Sequence, residues 1–303
     1  MAVIMRYCQW VMGLSLLLLG ASSFADTIEV VDARGKTLVL DKPVERIIAL
    51  APHIVENVYS AGAGDKLIGV VSYSDYPSAA KLLPQVGSFM SVNFEQVLAL
   101  KPDLVIGWLS GSSTDIASQL ERLGLKVYMD EPDTLQSVAD SVRTIGRLAG
   151  TQPTAEKAAA DYLVAIESLA HRYRGASAVS VLYQVWHDPL QTLNSEHLVS
   201  DVIRLCGGEN SYADAQVLAP KISIESVLAR NPDMIVASGM ANERPEWLDY
   251  WQRYSSLAAV QQNNLYVVPP DIIQRHTLRI AEGARIFCEK IEKVREKRVQ
   301  GPS

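Results

Sequence analysis

Apolar residues along this chain fall into two kinds of pattern. Short runs rich in β-branched residues, at 46–50, 67–71, 104–106, 126–129, 179–185, 234–236 and 265–268, predict buried strands. Between them, apolar residues three and four apart predict helices. One starts near Ile54 and ends at Gly62-Ala63-Gly64, one covers 115–123, one runs from Asp133-Thr134 to Gly150, and one follows Pro153. Two more cover 197–205 and the stretch from the 269–275 loop through Lys297. Residues 27–40 read as a hairpin turning at Asp32-Ala33-Arg34-Gly35. Strands alternating with helices predict mainly parallel sheets covered on both faces.

One unit of this pattern occurs twice. Residues 93–106 (NFEQVLALKPDLVI) return as 223–236 (SIESVLARNPDMIV), 130 positions later, with six of fourteen residues identical. Asn93 and Ser223 are suited to cap a helix start by accepting an orphan backbone N–H. A short amphipathic helix, a Pro-Asp turn and a buried strand follow. Copies this far apart predict two similarly built lobes rather than a solenoid, whose repeats span about 20–50 residues. Between the copies lies the helix behind Pro153, with its stripe of Ala155, Ala159, Tyr162, Ile166, Leu169 and Tyr173. Some twenty residues at 1.5 Å each make a rod of about 30 Å, so the connection is stiff. The expected fold is therefore α/β, two similar lobes with mainly parallel sheets joined by one long rigid helix, and a ligand cleft between the lobes. The expected divisions are a leader at 1–25, an N-terminal lobe at 26–150, the connecting helix at 151–175 and a C-terminal lobe at 176–303.

The leader is read from Arg6, the apolar run 11–19 (VMGLSLLLL) and small residues at Ser23 and Ala25, which predict cleavage before Asp26 and export. Its apolar core is shorter than the roughly 20 residues a membrane span needs. No Cys follows it to carry a lipid anchor. Its removal leaves 27 basic against 34 acidic side chains, a net of −7, which argues against a nucleic-acid partner. Two cysteines then remain, Cys206 and Cys288. In an oxidising compartment an even pair predicts one disulfide within the second lobe; the alternative is two buried free thiols.

Candidate chemistry gathers after the predicted strands. His53, Tyr73, Trp108, Trp186, His187 and Asp271 each follow one, and in open α/β sheets ligands bind off the carboxyl ends of strands. Aromatic walls with a few polar groups suit a large flat ligand; the alternative for Tyr73 and Trp108 is a place in the core. His53 and His187 follow the first strand of each lobe, so the two could face each other across the cleft and ligate Zn, a haem iron or the cobalt of a corrinoid. Only Asp271 offers a third ligand, where zinc wants three or four. The local alternative has His53 starting a helix and His187 bonded within its loop. Glu95 and Glu225, in the first turns of the repeated helices, suit the helix dipole; their symmetric recurrence also suits docking of a single partner by both lobes. The chain has no Gly-x-Ser-x-Gly elbow, no His-Glu-x-x-His and no phosphate loop, so none of these motifs points to an enzyme; an exported enzyme of other chemistry is the alternative that is left.

The strings VSYSDYP at 71–77, QVGSF at 85–89, the two repeat copies and CGGEN at 206–210 carry a resemblance over essentially the whole mature chain. It resembles the substrate-binding proteins of ABC importers in which one rigid helix joins the lobes, and among them the periplasmic cobalamin-binding proteins. The repeat's Leu-Lys-Pro-Asp is common to siderophore and haem binders, whereas the Ser-Tyr-Ser-Asp-Tyr-Pro string is closer to the cobalamin branch. The resemblance implies a periplasmic protein that binds cobalamin as cargo, needs no cofactor, is monomeric when free, and delivers to an inner-membrane permease with its ATPase. Tyr73, Trp108 and Phe89 would flank the corrin in the N-lobe, with Trp186, Asp271 and Arg275 on the C-lobe side. Glu95 and Glu225 would meet arginines of the permease, and Cys206 and Cys288 would be bridged. One departure is Ala219, which stands where the family carries a C-lobe aromatic; Trp186 is the candidate replacement. The alternative cargo is haem, a ferric siderophore or a metal on the same scaffold.

Overall fold

The computed structural model describes residues 27–88, 91–111, 114–238 and 245–300, so the 1–25 leader and Phe89 lie outside the described residues. The hairpin is β1 (Ile28–Val31) and β2 (Thr37–Leu40), antiparallel, its turn held by Asp32 Oδ1, which accepts the amides of Arg34 and Lys36. The N-lobe continues through β3 (Ile47–Ala49), α1 (Pro52–Ser60), β4 (Leu67–Gly69), α2 (Phe94–Ala99), β5 (Leu104–Trp108), α3 (Thr114–Arg122) and β6 (Val127–Asp130). Two helices follow, α4 (Leu135–Ala149) and α5 (Gln152–Tyr173). The C-lobe comprises β7 (Val179–Gln184), β8 (Trp186–His187), β9 (Leu190–Gln191), α6 (Leu198–Leu205), β10 (Gly208–Asn210) and α7 (Ile224–Arg230). It closes with β11 (Met234–Ser238), α8 (Ala258–Gln261), β12 (Leu265–Val268), α9 (Pro270–Ile273) and α10 (Ile280–Gln300).

The two main sheets have one topology. The N-lobe order is β4-β3-β5-β6 and the C-lobe order β10-β7-β11-β12, all parallel. Each lobe thus places its second strand on one side of the first, and its third and fourth on the other. The carboxyl ends of the first and third strands flank a switch point where a crevice opens. Side chains alternate between two cores in each lobe. Ile47, Ala49, Leu104 and Ile106 pack on α1 and α4, while Ile48, Val105, Val127 and Met129 meet α2 and α3. In the C-lobe, Val181, Tyr183 and Val236 pack on α6 and α10, while Leu182 and Ile235 meet Val227 of α7 and Trp251.

The repeated unit is α2–β5 in one lobe and α7–β11 in the other, and most of its identities have a structural cause. Asn93 Oδ1 and Ser223 Oγ accept the N–H three residues on, of Gln96 and Ser226. Val97 and Val227 are fully buried. The aspartate of each Pro-Asp turn exchanges two bonds with the start of the lobe's first strand. Asp103 donates its amide to Arg46 O and accepts Arg46 N–H at Oδ2 (3.0 Å); Asp233 does the same with Ser180 (2.7 Å). These bonds set the offset of the third strand against the first. Glu95 and Glu225 are not explained this way. Both are exposed, and neither makes an ion pair among the described residues.

The connection between the lobes is the expected long helix, α5, a single run of 22 residues, and α4 packs against it. Gly150, at φ +72, ends α4 in the left-handed conformation, and α5 returns along it. The two approach so closely that a Cβ on Gly146 would lie 2.3 Å from Ala155 Cβ. One stretch of α4, Val142, Ile145 and Leu148, belongs to an N-lobe core, and another, Val138 and Ala139, to a C-lobe core. The disulfide Cys206–Cys288 is present and joins the end of α6 to α10. Short polar elements depart from the expected pattern. Residues 186–191 form a two-stranded hairpin instead of a loop, and 270–273 form a helical turn. Strand β10 (GEN), the 3-10 stretch Glu246–Arg253 and α8 have too few periodic apolar positions to be read from sequence.

Candidate functional site

The carboxyl ends of β3, β4 and β5 in one lobe, and of β7 and β12 in the other, carry the cleft side chains singled out in the sequence. After β4 the chain forms a tight loop, with Asp75 N–H bonded to Tyr73 O and Ser72 N–H bonded to Gly87 O. Tyr73 takes φ +66 and is 76 % exposed, which excludes a place in the core. Trp108, the last residue of β5, is partly buried. Its indole N–H donates to Glu131 Oε1 (3.3 Å), and the same carboxylate accepts Ser110 N–H and Oγ–H. In the C-lobe, Trp186 is 37 % exposed, with its indole N–H on Asp188 O (2.9 Å). His187 lies between Trp186 and Trp247, its ring 5.5 Å from the latter and nearly parallel. The C-lobe wall is therefore a three-ring aromatic ladder, of which Trp247 carried no pattern signal.

His53 and His187 are not brought together. His53 occupies the first turn of α1 and is buried, edge-on to Trp108 at 5.0 Å and 5.8 Å from His276, while the ring neighbours of His187 are the two tryptophans. The partner of His53 comes instead from the loop after α9. His276 also meets His197 at 5.7 Å, so three imidazoles and Trp108 form one cluster across the lobe junction. Burial pushes the His53 imidazole well below its usual range, with His276 and Arg275 adding to the effect. Burial also lowers His276, against the carboxylates of Glu131 and Asp133 and the Pro132 carbonyl, and takes His197 down to about 3. Among the described residues, no group of three or more His, Cys, Asp and Glu is placed to hold a metal ion.

Asp271 and Arg275 pair at 3.0 Å, one helical turn apart. Arg275 does more than that. Its Nη1 reaches Glu56 of α1 and Asp75, both at 2.8 Å, so it crosses from one lobe to the other. Glu56, Asp75, His197, His276 and Arg279 were not singled out by sequence pattern. For Glu56 a signal existed: a carboxylate inside the apolar run Ile54–Val58 of a short helix must be buried, and a buried charge needs a partner. A surface recess of about 390 Å³, lined by Leu40, Pro43, Pro102 and Lys126, lies at the amino ends of the N-lobe strands, opposite the aromatic side chains. No helix among the described residues is long and apolar enough to cross a membrane.

Comparison with known proteins follows the same architecture. The sequence pattern of the periplasmic binding protein family matches residues 47–272. The vitamin B12-binding protein of Vibrio campbellii is 35% identical over 256 residues, 84% of this chain and 92% of that protein. That of Vibrio cholerae is 36% identical over 246 residues, 81% and 88% of the two chains. Among solved structures, the periplasmic vitamin B12-binding protein BtuF of Vibrio cholerae superposes with a TM-score of 0.77 at 33% identity, covering 84% of this chain and 99% of that one. The periplasmic heme-binding protein RhuT from Roseiflexus superposes at 0.73 with 23% identity, covering 82% and 98%, a likeness of fold.

Proposed function

The chain belongs to the periplasmic binding protein family, and from that premise we propose that it captures a corrinoid, cobalamin (vitamin B12), between its lobes and delivers it to an ABC import permease. The observation that carries the ligand is identity of 35–36% with vitamin B12-binding proteins over 81–84% of this chain. The cleft chemistry supports it. Tyr73 and the Trp186–His187–Trp247 ladder supply exposed aromatic area for a broad macrocycle, and Asp271 supplies a polar group for its periphery. Trp108 contributes from behind as part of the junction cluster, and Phe89, outside the described residues, is a further aromatic for the corrin. Residues 1–25 act as a leader removed on export to the periplasm, where the protein works as a monomer beside the permease and its ATPase. Glu95 and Glu225 dock on basic residues of that permease. Glu225 is suited to the task, since its own backbone amide and Ser223 hold its carboxyl below the usual range.

Isothermal titration of the mature protein with cyanocobalamin, haem and a ferric siderophore, in parallel, tests the ligand. Tight one-to-one binding of cyanocobalamin alone is the expected result. Binding of haem or the siderophore in its place would keep the family and overturn the cargo.

A further inference from the structure

Glu56 lies in α1 and is 2 % exposed at its side chain. Two guanidinium groups from the other lobe converge on it. Arg275 Nη1 lies 2.8 Å from Oε1, and Arg279 Nη1 lies 3.4 Å from both carboxylate oxygens. Each arginine then extends to the N-lobe loop after β4. Arg275 Nη1 binds Asp75 Oδ1 at 2.8 Å, and its Nη2 lies 3.5 Å from Tyr73 O. Arg279 stacks its guanidinium 4.0 Å from the centre of the Tyr76 ring. Three of the four residues 73–76 thus touch a C-lobe arginine that Glu56 anchors. We infer that Glu56 is a positioning residue: through Arg275 and Arg279 it makes the C-lobe hold the N-lobe's Tyr73 loop in its ligand-ready shape. The inference rests on the proposed role of Tyr73 in the cleft.

Tyr73 holds a left-handed backbone conformation that a bulky residue adopts only where its surroundings over-determine it. The local bonds from Asp75 and Ser74 close the turn, but the contacts that tie the turn to the body of the protein include the two arginines. A carboxylate buried without partners is unfavourable, and so is a guanidinium, so the three groups are ordered together or not at all. Arg275 is also paired with three carboxylates, those of Glu56, Asp75 and Asp271. Its contribution to a ligand site is therefore carried in large part by where it keeps the loop.

Hydrogen exchange of the ligand-free protein reads the loop directly, and titration reads its consequence. In Glu56→Gln, amide exchange across residues 72–78 should accelerate at least tenfold, with the 186–191 hairpin unchanged. Cyanocobalamin affinity should fall about tenfold. Arg279→Gln keeps the Glu56–Arg275 pair, and Asp75→Asn keeps it too while removing the charge that Arg275 holds in the loop; each should give the same local acceleration to a smaller degree, and they carry the test if Glu56→Gln does not fold. Unchanged exchange at 72–78 in the folded variants, or acceleration spread evenly over both lobes, overturns the inference. Should the parent protein fail to bind cyanocobalamin, the cargo reading falls, while the exchange result still decides the positioning role.

Discussion

His197 accepts the Val199 amide at Nδ1, which caps α6 and requires that nitrogen to be unprotonated. Burial and the neighbouring His276 reinforce this by taking its pKa down to about 3. In the unfolded chain the imidazole binds a proton from about pH 6.5 downward. Between those limits the unfolded state binds more protons, so stability rises with pH and is lost as pH falls from about 6.5 towards 3. His53 and His276 shift in the same direction. Asp130 opposes them: burial raises its carboxyl to about 6, so the folded state takes up that proton first below pH 6. Buried Glu56, also raised, adds to this offset. The contribution of one such histidine is about 1.4 kcal/mol per pH unit within its window. Thermal unfolding at pH 7.5, 6 and 5 should therefore show a smaller loss for His197→Asn, which keeps a capping acceptor, than for the parent. Parallel curves would remove His197 from the account.

At the scale of elements, the C-lobe is closed by a covalent tie between two helices that pack on the same sheet face. Cys206 is the C-cap of α6 and Cys288 lies within α10, 82 residues on. Arg295, one of the few buried charges, donates to the carbonyls of Cys206, Gly207 and Ser177, so the same junction is held by bonds as well. Closing a loop of this length restricts the unfolded chain by an amount worth roughly 2–5 kcal/mol. The Cys206→Ser/Cys288→Ser variant should keep its far-ultraviolet circular dichroism and lose about that much unfolding free energy in a denaturant titration. A loss below about 1 kcal/mol would show that the Arg295 bonds and packing already restrict the junction.

For the whole molecule, the shared second-first-third-fourth strand order puts α2 and α7 at equivalent places in the two lobes. Their exposed first-turn carboxylates, Glu95 and Glu225, are therefore related by the duplication itself, which suits a partner with two-fold character. Their Pro-Asp and capping neighbours are accounted for by the fold, and the glutamates are not. On the proposed docking, Glu95→Arg with Glu225→Arg should abolish stimulation of transport in vesicles carrying the permease, while cyanocobalamin affinity stays within about twofold of the parent, because both side chains are solvated ahead of reversal. A large loss of affinity would instead place them in support of the cleft.

Local chemistry was legible in the chain alone. Period and β-branching located the main strands, Asn93, Ser223 and Thr134 marked helix starts, Gly150 a helix end, and the 93–106 and 223–236 copies the duplication. These signals act over two to five residues, or through which face of an element is apolar, and both are written into the order of side chains. The partner of His53 was not legible, nor the commitment of Arg275 to Glu56 and Asp75, nor the aromatic ladder through Trp247. Each joins loops from distant parts of the sequence, such as Glu56 and Arg275, 219 positions apart. A loop carries no periodicity to say which way its side chains point, and its neighbours are set by how the sheets and the α4–α5 pair orient one lobe against the other. Only the packed molecule supplies that relation, because it comes from filling both cores at once.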